Sequence, residues 1–292
     1  MSIFSEKFSI EKQELFKSEL AKLNVIINPK QYAFWEVRHP DFVATFYTSG
    51  KFVIQGKKIE TALQILNLQA SEILKKDNPE FELIKEPHIG TDESGKGDFF
   101  GPLVIAGVYV DDENKKLFED LGIRDSKTLN DDKILKMALQ IQKNSKYSVI
   151  AISNSKYNEL YKNFKNLNKL LAWGHARVIE NILEKTDCKV ALSDKFGDES
   201  LIKNALMKKG QQIKLEQRVR GEADIAVAAA SVLARATFVQ KVQSMENFYG
   251  CKFPKGCSNK VIESAKIFIE KYSYERLTEV SKTHFKTYSE LC

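Results

Sequence analysis

Cysteine is scarce in this 292-residue sequence, and no long apolar run is present. No two of the four cysteines are spaced as in a typical metal or redox motif, which favours free thiols in a reducing compartment. No stretch approaches the roughly 20 apolar residues of a transmembrane helix. The first ten residues have neither a basic start nor a hydrophobic signal core. We therefore expect a cytoplasmic protein with no membrane partner.

The formal net charge is +6, a mild excess of Lys and Arg. Basic side chains attract phosphate and release condensed counterions, so the excess leans toward polyanionic partners. Many Lys-rich proteins are simply well solvated, however. Charge alone therefore does not establish a nucleic-acid partner.

The first part of the chain has the pattern of a small α+β domain. Residues 11–23 have apolar side chains at helical spacing. Residues 32–57 are rich in aromatic and β-branched residues and contain two turn signals, which predicts antiparallel strands. Residues 60–76 predict a second amphipathic helix, and a polar linker is expected at 76–87.

From His88 onward, predicted strands and helices alternate, which is typical of a mixed sheet flanked by helices. The predicted strands are 88–92, 101–110, 146–153, 189–193 and 212–218. The predicted helices are 131–144, 155–186, 198–208, 224–246 and 259–272. We therefore expect an α/β fold with two domains, at residues 1–80 and 81–292.

Acidic residues stand at the edges of core elements in three separate segments. Asp92 and Glu93 end the first strand of the larger domain, Asp194 follows another strand, and Glu222 and Asp224 precede a helix rich in Ala and Val. Each residue alone is equally consistent with a turn former or a helix N-terminal acid. Together, carboxylates without His or Cys ligands favour hard divalent cations, Mg²⁺ or Mn²⁺, as cofactors.

A Gly-Lys-Gly turn follows the first acidic pair. Gly95 and Gly97 have no side chains, so backbone amides there could approach a ligand closely, and Lys96 supplies a cation suited to phosphate. A tight turn between two strands is the simpler interpretation. The turn by itself is weak support for a binding site.

Longer motifs resemble the bacterial ribonuclease HIII enzymes, relatives of ribonuclease HII. These motifs are "TDESGKGDFFGPLV", "IRDSKTLND", "KNLNKLLAWGHARVI", "LSDKFG", "AVAAASVLAR", "FPKGCSNKV" and "THFKT". Upstream, "YTSGKFVIQGK" resembles the N-terminal domain that separates HIII from HII. The resemblance covers nearly the whole chain. It implies a ribonuclease H-like mixed sheet flanked by helices and a small α+β N-terminal domain like a TATA-binding-protein repeat.

The resemblance also implies an enzyme that hydrolyses the RNA strand of RNA/DNA hybrids internally, leaving 5′-phosphate and 3′-hydroxyl ends. Asp92, Glu93 and Asp194 match three metal-binding acids, which in the family act with two divalent ions. Glu222 matches the fourth acid, although it lies one residue closer to the Ala-rich helix than expected. Asp224 is the alternative.

Candidate substrate contacts follow from the same resemblance. The Gly95-Lys96-Gly97 turn resembles the loop whose backbone meets ribose 2′-hydroxyls, the group that distinguishes RNA from DNA. Ser126 and Lys127 resemble backbone-contacting residues, with a helix N-terminal turn as the alternative. On the N-terminal sheet the candidates are Tyr47, Ser49, Lys51 and Gln55.

Two other functions are consistent with parts of this pattern. One is a silent hybrid-binding protein that keeps the fold, and the other is a ribonuclease HII-like enzyme that cuts at single ribonucleotides in DNA. His175 is equally suited to helix packing or to a polar role near the acids. No patterned apolar stripe indicates a partner face, so we expect a monomer.

Overall fold

The computed structural model describes residues 2–66, 68, 84, 86–123, 129–219 and 221–291. The chain forms two compact units, Met1–Glu82 and Leu83–Cys292. The expected boundary after residue 80, most of the expected linker at 76–87 and the end of the predicted helix 60–76 lie outside the described residues. The boundary therefore stays a prediction.

In its described residues, the N-terminal unit is an antiparallel sheet of five strands with two helices. The elements are β1 Ser2–Lys7, α1 Lys12–Leu20, β2 Ile26–Asn28, β3 Ala33–Arg38, β4 Phe42–Tyr47, β5 Lys51–Gly56 and α2 Glu60–Ile65. The strand order is β1-β5-β4-β3-β2. Both predicted turns connect neighbouring strands, whereas β1 and β2 were not predicted.

The core of this unit is largely aromatic. Trp35, Phe46 and Phe52 project from alternate strand positions and pack with Phe16 of α1. The buried Trp35 indole N–H donates to the Gln13 carbonyl at 3.1 Å, so its one polar group is satisfied. The opposite sheet face is not covered by either described helix of this unit.

The second unit is built around a mixed sheet. Its strands are β6 His88–Ser94, β7 Leu103–Val110, β8 Lys146–Ile152, β9 Val190–Asp194 and β10 Lys214–Arg218, and its helices are α3 Asp112–Asp120, α4 Asp131–Asn144, α5 Asn154–Phe164, α6 Leu167–Leu183, α7 Glu199–Ala205, α8 Ile225–Tyr249, α9 Asn259–Tyr272 and α10 Lys286–Ser289. The order is β10-β9-β6-β7-β8. Strands β10, β9 and β6 are parallel, whereas β7 is antiparallel to β6 and to β8. The predicted mixed sheet is confirmed.

Helix α8 packs on β6 and β7, with α4 outside it, and α6 packs on β7, β8 and β6. The Ala-rich first half of α8 is buried, because its small side chains allow close approach to the sheet. By length and composition, α8 is the one helix among the described residues that could cross a membrane. However, 67 % of its most apolar 18-residue segment is buried inside the protein. The pattern therefore fits a core helix equally well.

The second unit differs from the predicted elements in three features, one of which is the short unpredicted helix α10. The single helix expected at 155–186 is two helices, because Lys165 adopts a left-handed conformation (φ 51°) and the Asn166 side chain caps α6 by accepting from the Asn168 and Lys169 amides. Helix α3 was not predicted. It begins with a capping box between Asp111 and Asn114, a local signal that its charged composition concealed.

Close packing of β6 on α8 gives the first testable prediction. A Cβ added at Gly90 would lie 2.1 Å from the Ala226 carbonyl carbon, a backbone atom that cannot move aside. Gly90→Ala is expected to lower the free energy of unfolding by more than about 3 kcal/mol. Gly97→Ala is the control, because nothing lies within 4 Å of a Cβ there. Urea unfolding of both variants measures the difference, and equal stabilities would contradict this packing.

Candidate active site

The carboxyl ends of two adjacent parallel strands bring Asp92 and Asp194 together. Strands β6 and β9 are in register at Thr91 and Ser193, and each aspartate is the next residue. Neighbouring strands lie about 4.8 Å apart, so the two carboxylates arise from adjacent backbone positions at one sheet edge. The sequence indicated that each aspartate stands at the end of a strand, and the register of β6 and β9 brings the two ends together.

Asp92 accepts hydrogen bonds from the Ser231 side chain on α8 and, at 2.8 Å, from the Glu93 backbone N–H. Burial, and next the charge of Glu93, raise the pKa of Asp92 to about 7, and the charge of Asp194 acts in the same direction. The hydrogen bonds only partly offset these effects. Ionisation of Asp92 is therefore disfavoured in the protein alone, first by burial and then by the neighbouring acids.

Glu93 points to the opposite face of the sheet, toward α6. His175 of this helix is fully buried, and its Nε2 donates to Glu93 Oε2 at 3.2 Å. The Thr91 hydroxyl lies 2.9 Å from Nδ1, which fixes the ring orientation. Burial acts to raise the pKa of Glu93, but the bonds from His175 and Lys96 outweigh it and hold the pKa below its usual value. The histidine thus has a polar role at the site, one of the two alternatives open from the sequence.

A short 3₁₀ turn, Gly221–Ala223, places Glu222 beside Asp194. The Gly221 N–H donates to Asp194 Oδ1 at 2.8 Å, and a Cβ at Gly221 would lie 3.0 Å from the Asp194 Cα. The half-buried Glu222 is the next residue in this turn. Its backbone is thereby held against the end of β9.

Asp224 is used differently. It is 1 % exposed, it accepts from the Ala226 and Val227 N–H groups as the N-cap of α8, and both its oxygens lie 3.0 Å from His88 Nε2. These bonds tie the helix start to the beginning of β6. The carboxylate is therefore engaged in structural contacts, which favours Glu222 as the fourth acid.

The Gly-Lys-Gly turn follows β6 directly. Gly95 has φ +86°, and a Cβ there would lie 2.2 Å from the Pro102 carbonyl oxygen, so glycine is required. Gly97 has open space, which leaves its backbone approachable. The Lys96 amine lies 3.4 Å from Glu93 Oε1 and 5.7 Å from the centre of the Phe196 ring. Lys96 therefore already pairs with a site carboxylate.

Hydrogen bonds from the C-terminal region hold the segment that follows this turn. Asp98 Oδ1 accepts from the Gly256 N–H at 2.6 Å. The buried Lys282 amine donates to the carbonyl oxygens of Asp98 and Gly101, at 2.8 and 2.6 Å. Burial lowers the pKa of Lys282 to about 7. The motif "FPKGCSNKV", through Gly256, and Lys282, which directly precedes "THFKT", thus support the turn.

The remaining predicted site residues are the candidate substrate contacts outside the Gly-Lys-Gly turn. Ser126 and Lys127 lie outside the described residues. Tyr47, Ser49, Lys51 and Gln55 all belong to the N-terminal unit, in β4, β5 and the turn between them. Within the described ranges, no group of three or more His, Cys, Asp or Glu side chains is arranged to hold a metal ion. Glu93 is bound to His175 and Lys96 instead.

Comparison with known proteins identifies the family. A sequence profile described as ribonuclease HII matches residues 89–288. The chain is 42 % identical to ribonuclease HIII of Chlamydia felis, over 95 % of this chain and 93 % of that protein. It is 39 % identical to ribonuclease HIII of Protochlamydia amoebophila, over 97 % and 95 %. The chain belongs to the ribonuclease HIII family.

Solved structures support the same assignment. The crystal structure of Bst-RNase HIII in complex with Mn²⁺ matches with a TM-score of 0.67 and 26 % identity, over 99 % of this chain and 98 % of that one. Aquifex aeolicus RNase H3 matches with a TM-score of 0.58 and 29 % identity, over 97 % and 100 %. The predicted fold, a ribonuclease H-like domain with a TATA-binding-protein-like N-terminal domain, is confirmed. As a ribonuclease HIII, the protein is a ribonuclease H, an enzyme class that acts on RNA/DNA hybrids.

Several residues at the site were not predicted. Ser231 lies in the middle of an apolar helix, and Thr91 and Ser193 lie inside buried strands, where a small polar residue is the only available signal. Lys282 had a stronger signal, since it adjoins a recognised motif. Its role became visible only through contacts with residues more than 180 positions away.

The raised pKa of Asp92 predicts how stability depends on pH in metal-free protein. Its carboxyl group titrates near 3.8 when unfolded and near 7 when folded, so the folded state binds the extra proton between these values and loses stability as the pH rises. Asp92→Asn removes this penalty. Thermal melts in chelator should show the variant more stable than wild type at pH 8 and little changed at pH 4. A gain of the same size at both pH values would contradict the prediction.

Glu222 and Asp224 are expected to differ sharply when replaced. Asp224→Asn weakens a buried cap and the His88 contact, so it should lower the free energy of unfolding by about 1–3 kcal/mol. Glu222→Gln should leave stability within about 0.5 kcal/mol and abolish nearly all hydrolysis. Chemical unfolding and hybrid cleavage, measured on both variants, test this. The reverse pattern would make Asp224 the fourth acid.

Proposed function

We propose that this protein is an endoribonuclease that hydrolyses the RNA strand of RNA/DNA hybrids with two divalent cations, leaving 5′-phosphate and 3′-hydroxyl ends. The observation that carries the proposal is the placement of Asp92 and Asp194 at the ends of adjacent parallel strands, with Glu93 next to Asp92. Such a site is suited to cations. Phosphodiester hydrolysis of this type needs no side-chain nucleophile, which agrees with a site made of carboxylates.

The residues fit Mg²⁺ or Mn²⁺, because carboxylate oxygens are the ligands that these hard cations prefer. Asp92, Glu93, Asp194 and Glu222 would hold them. The cations would supply activation of water and neutralisation of charge on the leaving 3′ oxygen. Glu93 would exchange Lys96 for a cation while it keeps its bond to His175. The Mn²⁺ complex of the homologous Bst enzyme supports this choice of cation.

The chain's own residues would bind and orient the hybrid. The open backbone at Gly97, following the conformation that Gly95 allows, is suited to approach a ribose 2′-hydroxyl. Lys96, once released from Glu93, would face phosphate. Ser126 and Lys127 are further proposed backbone contacts. Tyr47, Ser49, Lys51 and Gln55 would grip the hybrid from the N-terminal sheet.

Cleavage of three labelled duplexes tests the proposal: a continuous RNA/DNA hybrid, DNA with one embedded ribonucleotide, and all-DNA. Each is incubated with Mg²⁺, with Mn²⁺ and with chelator. We expect metal-dependent cutting of the continuous hybrid and little action on the other two. Asp92→Asn should reduce the rate on the order of 10³-fold or more, with hybrid binding retained.

Each other outcome has a distinct meaning. Efficient cutting at the lone ribonucleotide would assign a ribonuclease HII-like specificity. Cutting in chelator would contradict the role of the carboxylates. Binding without cleavage of any duplex would indicate a silent binding protein, and mapping the product ends tests the end chemistry directly.

A further inference from the structure

The face of the N-terminal sheet that neither described helix of this unit covers, which we call the open face, has an ordered arrangement of side chains. Strand register places Arg38, Val43 and Gln55 side by side, and Glu36, Thr45 and Val53 in the next row. With strands about 4.8 Å apart, Arg38 and Gln55 lie about 10 Å apart. Arg38 on β3 therefore lies on the same face and in the same row as Gln55, one of the predicted substrate contacts.

Positive charge on this face is not fully balanced within the sheet. Lys7 and Lys51 are directly opposite each other on β1 and β5, and both are exposed. Like charges at opposed positions destabilise a sheet, and a polyanion bound there would relieve the repulsion of this pair. Arg38 and the nearby Lys30 add two more cations.

One acid, Glu36, lies among these cations, where it would be expected to repel phosphate. Its side chain is only 7 % exposed. Lys30 forms a hydrogen-bonded ion pair with Oε2, and Arg38 Nε donates to Oε1 at 2.9 Å. The bond from Lys30, and then that from Arg38, hold the pKa of Glu36 below its usual value against the effect of burial. The carboxylate is thus ionised and enclosed by its partners.

The two cations remain accessible although Glu36 does not. Their side chains are 37 % (Lys30) and 63 % (Arg38) exposed. The Lys30 amine also lies 3.4 Å from Thr45 Oγ1 and 5.8 Å from the centre of the Tyr47 ring, so its position is defined from several sides. Long cationic side chains ordinarily lose conformational entropy when they bind phosphate, and prior ordering lowers that cost.

We propose that Glu36 is a positioning residue, which holds Lys30 and Arg38 in place to contact the phosphate backbone of the hybrid. The inference rests on the proposed function, since it takes an RNA/DNA hybrid as the ligand. It adds two phosphate contacts, Lys30 and Arg38, to the predicted surface. It also assigns to an acidic residue a favourable role in binding a polyanion.

The test compares hybrid binding by wild type and Glu36→Gln, because positioning and a simple charge effect predict opposite changes in affinity. Glu36→Gln removes a negative charge, so a charge effect alone would tighten hybrid binding and steepen its salt dependence. Positioning predicts the reverse: a dissociation constant about three- to tenfold higher, and a slope of log K against log salt shallower by about one to two. Fluorescence anisotropy on the full chain, in chelator and at several NaCl concentrations, measures both quantities.

Three further variants serve as controls. Glu11→Gln removes an exposed acid just before α1, whose side chain makes no capping bond, and it should not weaken binding. Glu36→Asp keeps the charge but shortens the side chain, so charge predicts no change and positioning predicts weaker binding. In a Lys30→Gln/Arg38→Gln background, adding Glu36→Gln should give no further loss, because the residues that it positions are absent.

The outcomes separate the inference from the function that it rests on. Tighter binding by Glu36→Gln would overturn the inference. Weaker binding with an unchanged salt slope would also overturn it, because Glu36 would then contact the hybrid itself. Failure of the wild-type chain to bind any hybrid would refute the proposed function, and the inference with it. Unchanged thermal melting of Glu36→Gln confirms that the sheet is intact.

Discussion

The repulsion among carboxylates at the ends of β6 and β9 is the constraint on which the catalytic unit depends. Register places Asp92 and Asp194 on adjacent strands, and burial makes the charge of Asp92 costly. Such an arrangement persists only when the backbone cannot relax. Gly90 packed against the Ala226 backbone, and Gly221 packed against Asp194, provide this rigidity. Two glycines therefore matter for the chemistry, although they lack functional groups.

Each acid at the site has a different set of neighbours, and these neighbours define its role. Asp92 has hydrogen bonds that only partly offset the effects of burial and of the neighbouring acids on its pKa, whereas Glu93 is bound by His175 and Lys96. Asp224, the most deeply buried of the group, is paired with His88 and caps α8. Chemically identical carboxylates thus serve as candidate ligands or as structural caps according to what surrounds them.

The N-terminal unit gathers positive charge, whereas the catalytic unit gathers negative charge. Its open face has cations at opposed or adjacent positions, and Glu36 is enclosed by two of them. Glu36 orders Lys30 and Arg38, but its negative charge lowers the net positive charge of the open face. In both units, a residue of one sign gains its role from partners of the other sign.

The sequence by itself determined much of the element pattern, because apolar periodicity and turn residues are local signals. The strand at 88–92, the helix at 131–144 and the positions of Asp92 and Asp194 at strand ends followed from them. The break at Lys165 did not, since apolar spacing continues across it. Only the tertiary structure separated Glu222 from Asp224 and revealed His175, Lys282 and Glu36 as supporting residues. Their roles depend on hydrogen bonds between distant segments, and side chains two positions apart in sequence can face entirely different neighbours once the chain is packed.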